Sequence, residues 1–385
     1  MADSITLHRK EYGTYPEVAF SAPGVVNLLG EHTDYNEGYV LQMALDRRVE
    51  VAISRRKDNS LRFFTGNFNE RKRTTVANIK YKREDRWANY LKGVLFEIGK
   101  RKMGFKGLNF TIFGDIPPEI GLAASAAMCT AAAYGMKKLF GYPFADKECV
   151  EIASSAERDF FGIEATLVDP MTSALAKGGR AMFIDMRQLE YSYVPLRLKD
   201  AKILVTVSNV PKVAAGKEFS LRKEECRKCV EYLNRKKPGK TLRDYSPEDL
   251  KGSMGLVPEN TRRVCMHVAE ENERVLEGRE AVERGDLSGF GKLLSKSHES
   301  LRDNFEVSCP EIDWLVKRAG EIEDVLGARL TGSGFGGCTV TLIRERGLDA
   351  YYERLDEYER IFGFHPETFF CEAAAGVREV AVSGK

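Results

Sequence analysis

Ala22-Pro23-Gly24-Val25-Val26-Asn27-Leu28-Leu29-Gly30-Glu31-His32-Thr33-Asp34-Tyr35-Asn36-Glu37-Gly38 sets an apolar run directly against a polar cluster. Val25 to Leu29 has the length and character of a buried strand, so the cluster after Gly30 falls where that strand opens into a loop. Glu31, His32 and Asp34 there offer two carboxylates and an imidazole, groups that hydrogen-bond a polyhydroxylated ligand. The same His-Thr-Asp-Tyr-Asn run also suits an ordinary turn. The residues of this stretch alone leave both readings open.

Working outward, residues 18–54 alternate as strands do, with Val49 to Ile53 the clearest example. Trp87, Leu91, Val94 and Leu95 follow helical spacing, which assigns Trp87 to the core. Leu108 to Phe113 reads as a strand, Asp115 to Gly121 as a loop, and Leu122 to Tyr134 as a helix of small residues. Strand, loop and helix in that order make an anion-binding arrangement, because unpaired N–H groups at a helix start hold phosphate oxygens with help from the helix dipole. A second helix is expected over residues 147–160 and a strand over 180–185. Helical periodicity dominates from 217 to 327, and further strands are expected within 330–343 and 368–377.

A chain of 385 residues with 43% hydrophobic content has core enough for two lobes. Its 59 basic and 57 acidic residues leave a net charge of +2, so no global field favours nucleic acid or an anionic membrane. The basic runs Arg55-Arg56-Lys57, Arg71-Lys72-Arg73 and Arg235-Lys236-Lys237 lie beside turn residues and read as solvated surface. Eight cysteines, with no apolar leader and no long apolar run, lead us to expect a cytoplasmic protein with reduced thiols. Cys226 and Cys229 form a CxxC in a charged helical run, without the second pair or histidines that a zinc site needs.

The opening stretch closely resembles the sugar-binding signature of galactokinases, Gly-Arg-Val-Asn-Leu-Ile-Gly-Glu-His-Thr-Asp-Tyr, within the GHMP small-molecule kinase superfamily. Four further segments resemble the family in the same order: Trp87 to Val94, Pro117 to Ala127, Ser297 to Asp313, and the glycine loop Ala328 to Cys338. The resemblance covers roughly residues 8–378. It implies that Glu31, His32 and Asp34 bind the sugar. It also implies that the backbone of Gly121, Leu122, Ala123, Ala124, Ser125 and Ala126 holds ATP, that the Ser125 hydroxyl serves Mg²⁺, and that Asp169 is the catalytic base.

Several positions depart from the family pattern. Val25 stands where the family carries an arginine that helps the transfer, and Lys212 is the candidate to supply the missing cation. The phosphate motif Pro-x-Gly-x-Gly-Leu-Ser-Ser-Ser-Ala-Ala has become Pro117-Pro118-Glu119-Ile120-Gly121-Leu122-Ala123-Ala124-Ser125-Ala126-Ala127. Two hydroxyls are lost and a carboxylate is gained. At an effective dielectric of about 20, unit charges roughly 6 Å apart repel by about 3 kcal/mol, so an inward Glu119 weakens ATP. In the pattern Gly-x-Met-Asp-Gln around Asp169, Thr166 replaces the glycine and Pro170 the glutamine. Phe219 replaces a tyrosine that contacts the sugar, which points to an altered sugar preference. His298 and Arg302 lie one helical turn apart and suit a surface or interlobe network.

The expectation is therefore a two-lobed α+β fold of the GHMP kinase type. It has an N-terminal lobe over residues 1–190 like ribosomal S5 domain 2, built on a five-stranded sheet, and a ferredoxin-like C-terminal lobe over 191–385. The implied function is ATP-dependent phosphorylation of the anomeric hydroxyl of galactose or a related sugar, by a monomer that uses Mg²⁺. The alternative is a catalytically weak or inactive relative that acts as a sugar or nucleotide sensor or as a partner-binding protein.

Overall fold

A computed structural model describes residues 3–211 and 215–382. Two β-branched and apolar runs, β1 (Val18–Leu29) and β2 (Tyr39–Arg55), pair antiparallel and form the spine of the first sheet. β2 is long enough to serve several neighbours. β5 (Leu108–Gly114) pairs along its second half, β3 (Ser60–Thr65) lies parallel on β5 and β4 (Glu70–Thr75) antiparallel on β3, while the hairpin β6 (Arg180–Asp185) and β7 (Glu190–Pro195) joins at the β2 start. The second sheet contains β8 (Ala201–Val207), β9 (Val325–Thr331), β10 (Cys338–Arg344) and β11 (Glu367–Cys371), in the antiparallel order β11-β8-β10-β9. β12 (Arg378–Glu379) then returns to β1, giving the first sheet eight strands where five were expected. A pairing as short as the two residues of β12 has no alternation long enough to stand out in a sequence.

Helices α1 (Ser4–Tyr12), α2 (Ala88–Lys100), α3 (Ala124–Phe140), α4 (Asp146–Ser155) and α5 (Val168–Leu175) belong to the first lobe. The small residues of α3 let it lie close against β1 and β2, with α2 and α4 packed on it. In the second lobe come α6 (Ala215–Leu233), α7 (Pro247–Lys251), α8 (Glu259–Arg284), α9 (Leu287–Asp303), α10 (Pro310–Gly320) and α11 (Leu348–Phe362). α9 and α10 cover β9, and α8 packs on α9.

β7 is the last strand of the first sheet before the chain enters β8 of the second, so the chain passes between the sheets over residues 196–200. The tail is then a return segment, since Gly376 N–H donates to Ala176 and Val380 N–H to Ala19. His298 and Arg302 share no hydrogen-bond partner among the described residues. His298 is buried and accepts from the Leu330 N–H on β9, while Arg302 turns outward to Asp303. Cys226 and Cys229 are buried in an apolar cluster, and no group of three or more His, Cys, Asp or Glu side chains that could hold a metal ion occurs among the described residues.

A buried polar network joins the lobes beneath the opening stretch. Arg329, fully buried on β9, donates to the Leu28 carbonyl at 2.8 Å and pairs with Glu31 at 2.9 Å. Glu271 on α8 accepts from the Gly30 N–H at 2.9 Å and from Ser297 at 2.8 Å. Charges this deep persist only when paired and hydrogen-bonded, so these contacts hold the loop after β1 in one position.

Candidate active site

Between the lobes lies a cavity of about 1020 Å³, bounded at one end by the loop after β1 and at the other by aromatic side chains. Gly30 makes the loop turn. Its φ is +97°, and a Cβ there would stand 2.6 Å from the Tyr39 carbonyl. His32 follows with φ +64°, its ring stacked on Phe305 at 4.4 Å and its Nδ1 3.0 Å from the Tyr35 hydroxyl. Burial holds this imidazole well below its usual pKa and therefore neutral. Its Nε2 is buried without a partner among the described residues, and the residue lines the cavity. A buried ring nitrogen of this kind is poised for a ligand hydroxyl.

Asp34 opens a short 3₁₀ turn, and its Oδ2 accepts from the Thr166 hydroxyl at 2.6 Å. Burial raises its pKa. Glu31 lines the same space, but its Oε1 is engaged by the Gly332 N–H at 2.7 Å as well as by Arg329. Burial pushes Glu31 up to about 7, against the pull of the Arg329 guanidinium. Phe219 lies over this end with its ring 5.4 Å from that of His32. The four residues assigned to sugar are thus brought together.

Asp169 lies in the first turn of α5, which follows an irregular loop. Pro170 is tolerated there because the first-turn N–H it lacks has no intrahelical acceptor. The Asp169 carboxylate lines the cavity, accepts from the Gln42 amide at 2.8 Å, and is pushed up to about 6 by burial. Val25 sits nearby on β1, buried and part of the cavity wall. Lys212, the candidate substitute cation, lies outside the described residues.

The phosphate loop approaches from the other side. β1 bulges at Gly24, where a Cβ would stand 2.8 Å from the Leu122 carbonyl, and the Val25 N–H donates to that carbonyl at 3.1 Å. α3 starts at Ala124, so the N–H groups of Ala124, Ser125 and Ala126 occupy its first turn and have no intrahelical acceptor. Gly121, Leu122, Ala123, Ala124 and Ser125 line the cavity, and Ala126 is buried behind them. Glu119 has φ +62°, a conformation that costs a side chain energy and that the family glycine adopts freely.

Two features escaped the sequence reading. Beyond α4, residues Ala156–Phe161 form a π-helical turn, an irregularity frequent at functional sites. It carries Glu157 to Ser125, where the two side chains hydrogen-bond and burial pushes the carboxyl up to about 8. The available signal was an acidic residue on the apolar stripe of Cys149, Ile152, Ala153 and Ala156. Trp87, assigned to the core, is only half-buried. It lines the cavity and donates to Glu70 at 3.1 Å, beside Tyr90 stacked on Phe161 at 4.3 Å.

A helix start that can hold phosphate, facing a buried carboxylate across one cavity, is what transfer of a phosphoryl group to a small alcohol requires, and its class here is that of the GHMP small-molecule kinases. Models for the GHMP kinase N-terminal and C-terminal domains match residues 89–177 and 279–360, and a model for the galactokinase galactose-binding signature matches residues 6–55. The galactokinase of Roseiflexus sp. is 35% identical over 97% of this chain and 95% of its own length. That of Thermotoga petrophila is 37% identical over 93% of this chain and 99% of its own. Among solved structures, Lactococcus lactis galactokinase complexed with galactose superposes with a TM-score of 0.93 at 27% identity, covering 98% of each chain. Methanococcus jannaschii mevalonate kinase shares the fold, with a TM-score of 0.66 at 19% identity. The chain belongs to the galactokinase family.

Proposed function

We propose that this protein transfers the γ-phosphoryl group of ATP to the anomeric hydroxyl of galactose or a close relative. The observation that carries this reading is Asp169, set in one cavity between the sugar-binding end and the phosphate loop. Asp34 and His32 orient the sugar through its hydroxyls, and Asp169 takes the proton of the attacking hydroxyl. The sugar oxygen then forms its bond to the γ-phosphorus as the bond to the bridging oxygen of ADP breaks. First-turn N–H groups of α3 hold the polyphosphate, and the aromatic end around Trp87 and Tyr90 suits the adenine ring.

Ser125 and Glu157 fit Mg²⁺. Both offer hard oxygen donors, and a buried carboxylate held protonated up to about 8 is one that a cation would ionise. The metal would neutralise charge on the phosphates.

The experiment that tests the reading is turnover with ATP across a panel of monosaccharides. Loss of one preorganised donor typically costs about 10² to 10³ in rate, so wild type is expected to be slow and Val25→Arg to raise kcat by about 10-fold or more. A fast wild type that Lys212→Met slows and Val25→Arg leaves alone would instead assign the charge to Lys212. No turnover with any sugar, with sugar binding intact, would replace the enzyme by a sensor.

Nucleotide affinity supplies a second check. Glu119→Gly removes both a left-handed side chain and a negative charge from the phosphate loop. It is expected to tighten ATP binding by about 3- to 10-fold, the repulsion being screened at this exposed position, with the largest gain at low magnesium. Calorimetry that finds equal or weaker binding would mean that Glu119 points away from the phosphates.

A further inference from the structure

Gln42 lies on β2, the central strand of the first sheet, and is buried with 2% exposure. Its amide bridges two residues of α5. Nε2 donates to Asp169 Oδ1 at 2.8 Å, and Oε1 accepts from the Thr172 hydroxyl at 2.6 Å. Amide orientation follows from chemistry, because the reverse would aim Oε1 at an ionised carboxylate. Asp169 and Thr172 stand one turn apart on α5, so one side chain reads both. A buried amide is costly unless its groups are used, and here the donor is used on the reacting carboxylate.

Its surroundings give this contact weight. Val25 supplies no cation, Pro170 supplies no side-chain donor beside Asp169, and no cation pairs with Asp169 among the described residues. The charged groups acting with it are all acidic, namely Asp34, Glu31 and Glu157.

We propose that Gln42 is a positioning residue for the transfer, holding Asp169 by Oδ1 so that Oδ2 is left for the sugar hydroxyl. This rests on the reading of Asp169 as the proton acceptor. The rigidity of a central strand, pinned by Thr172, fixes the carboxylate where a loop partner would let it turn.

The test compares Gln42→Met, Gln42→Glu and Thr172→Val with wild type in kcat, sugar KM, the pH dependence of kcat and thermal unfolding. Gln42→Met keeps the length and loses the donor. Its kcat should fall by about 10-fold or more with sugar KM nearly unchanged. The acid limb of its pH profile should move to higher pH, since a donor that favours the ionised form is gone. Gln42→Glu preserves the shape and adds a like charge, so its limb should move further, and it gives the readout if the methionine variant folds poorly. Thr172→Val frees the anchor only and should shift both quantities less, in the same direction.

Unchanged kcat and an unmoved limb in Gln42→Met and Gln42→Glu would overturn the assignment. So would a lowered melting temperature with a rate loss but no shift of the limb, which describes a purely structural glutamine. An Asp169→Asn variant that stays active would instead overturn the reading of Asp169 itself.

Discussion

Asp169→Asn is expected to lower kcat by about 10² to 10⁴ while sugar still binds, because the amide keeps the shape and loses the capacity to take a proton. The pH profile carries the same information. Burial pushes Asp169 up to about 6, and the base form exists above that value, so wild-type activity should fall as pH drops through about 6. Rate measurements between about pH 5 and 8 would show this acid limb in wild type and none in any residual activity of the asparagine variant. An arginine at position 25 would stabilise the ionised carboxylate, so Val25→Arg should move the limb to lower pH as it raises the rate. A wild-type profile that is flat across this range would separate the titration from Asp169.

Asp34→Ala should weaken sugar binding by about 100-fold, near the upper end of what one charged hydrogen bond contributes. The loss follows from how the carboxylate is committed. Thr166 already engages Oδ2 at 2.6 Å and the backbone N–H groups of Asp34 and Tyr35 also donate to the carboxylate, so a sugar hydroxyl would meet an acceptor that is already oriented. Alanine removes that contact and leaves the Thr166 hydroxyl without its acceptor inside a site already short of the family tyrosine at Phe219. Calorimetry with galactose and its epimers checks this, with thermal unfolding as the control for folding. An unchanged affinity in a folded variant would take Asp34 out of the sugar site.

Much of this was legible before any coordinates, because the informative segments are encoded locally. The strand from Val25, the turn at Gly30, the phosphate loop before Ala124 and the glycine loop from Gly332 are each specified by neighbours in sequence: apolar runs, residues tolerant of positive φ, and small side chains at a helix start. Their order identified the fold type, and Glu31, His32, Asp34 and Ser125 were named from those segments, with Asp169 and Phe219 named from family positions elsewhere in the chain. Departures such as Val25 and Glu119 were equally visible, since a missing cation or an added carboxylate needs no geometry to notice.

Tertiary structure decided everything that depends on which side chain faces which. Gln42 and Asp169 are 127 residues apart, and Glu31 and Gly332 are 301 apart. No periodicity relates such positions, so neither the donor on Asp169 nor the tie between the lobes was readable. Trp87 kept its helical spacing, yet faced the cavity, because spacing selects a helix face and packing selects what that face meets. Glu157 needed a π-helical turn, a local change of register that rotates a side chain and leaves composition unchanged. The sequence by itself determined the backbone of the loop after β1 and of the loop before α3, where conformation is a property of neighbouring residues. The fold alone determined the hydrogen-bond partners of the buried carboxylates, because those partners are chosen by burial across the chain.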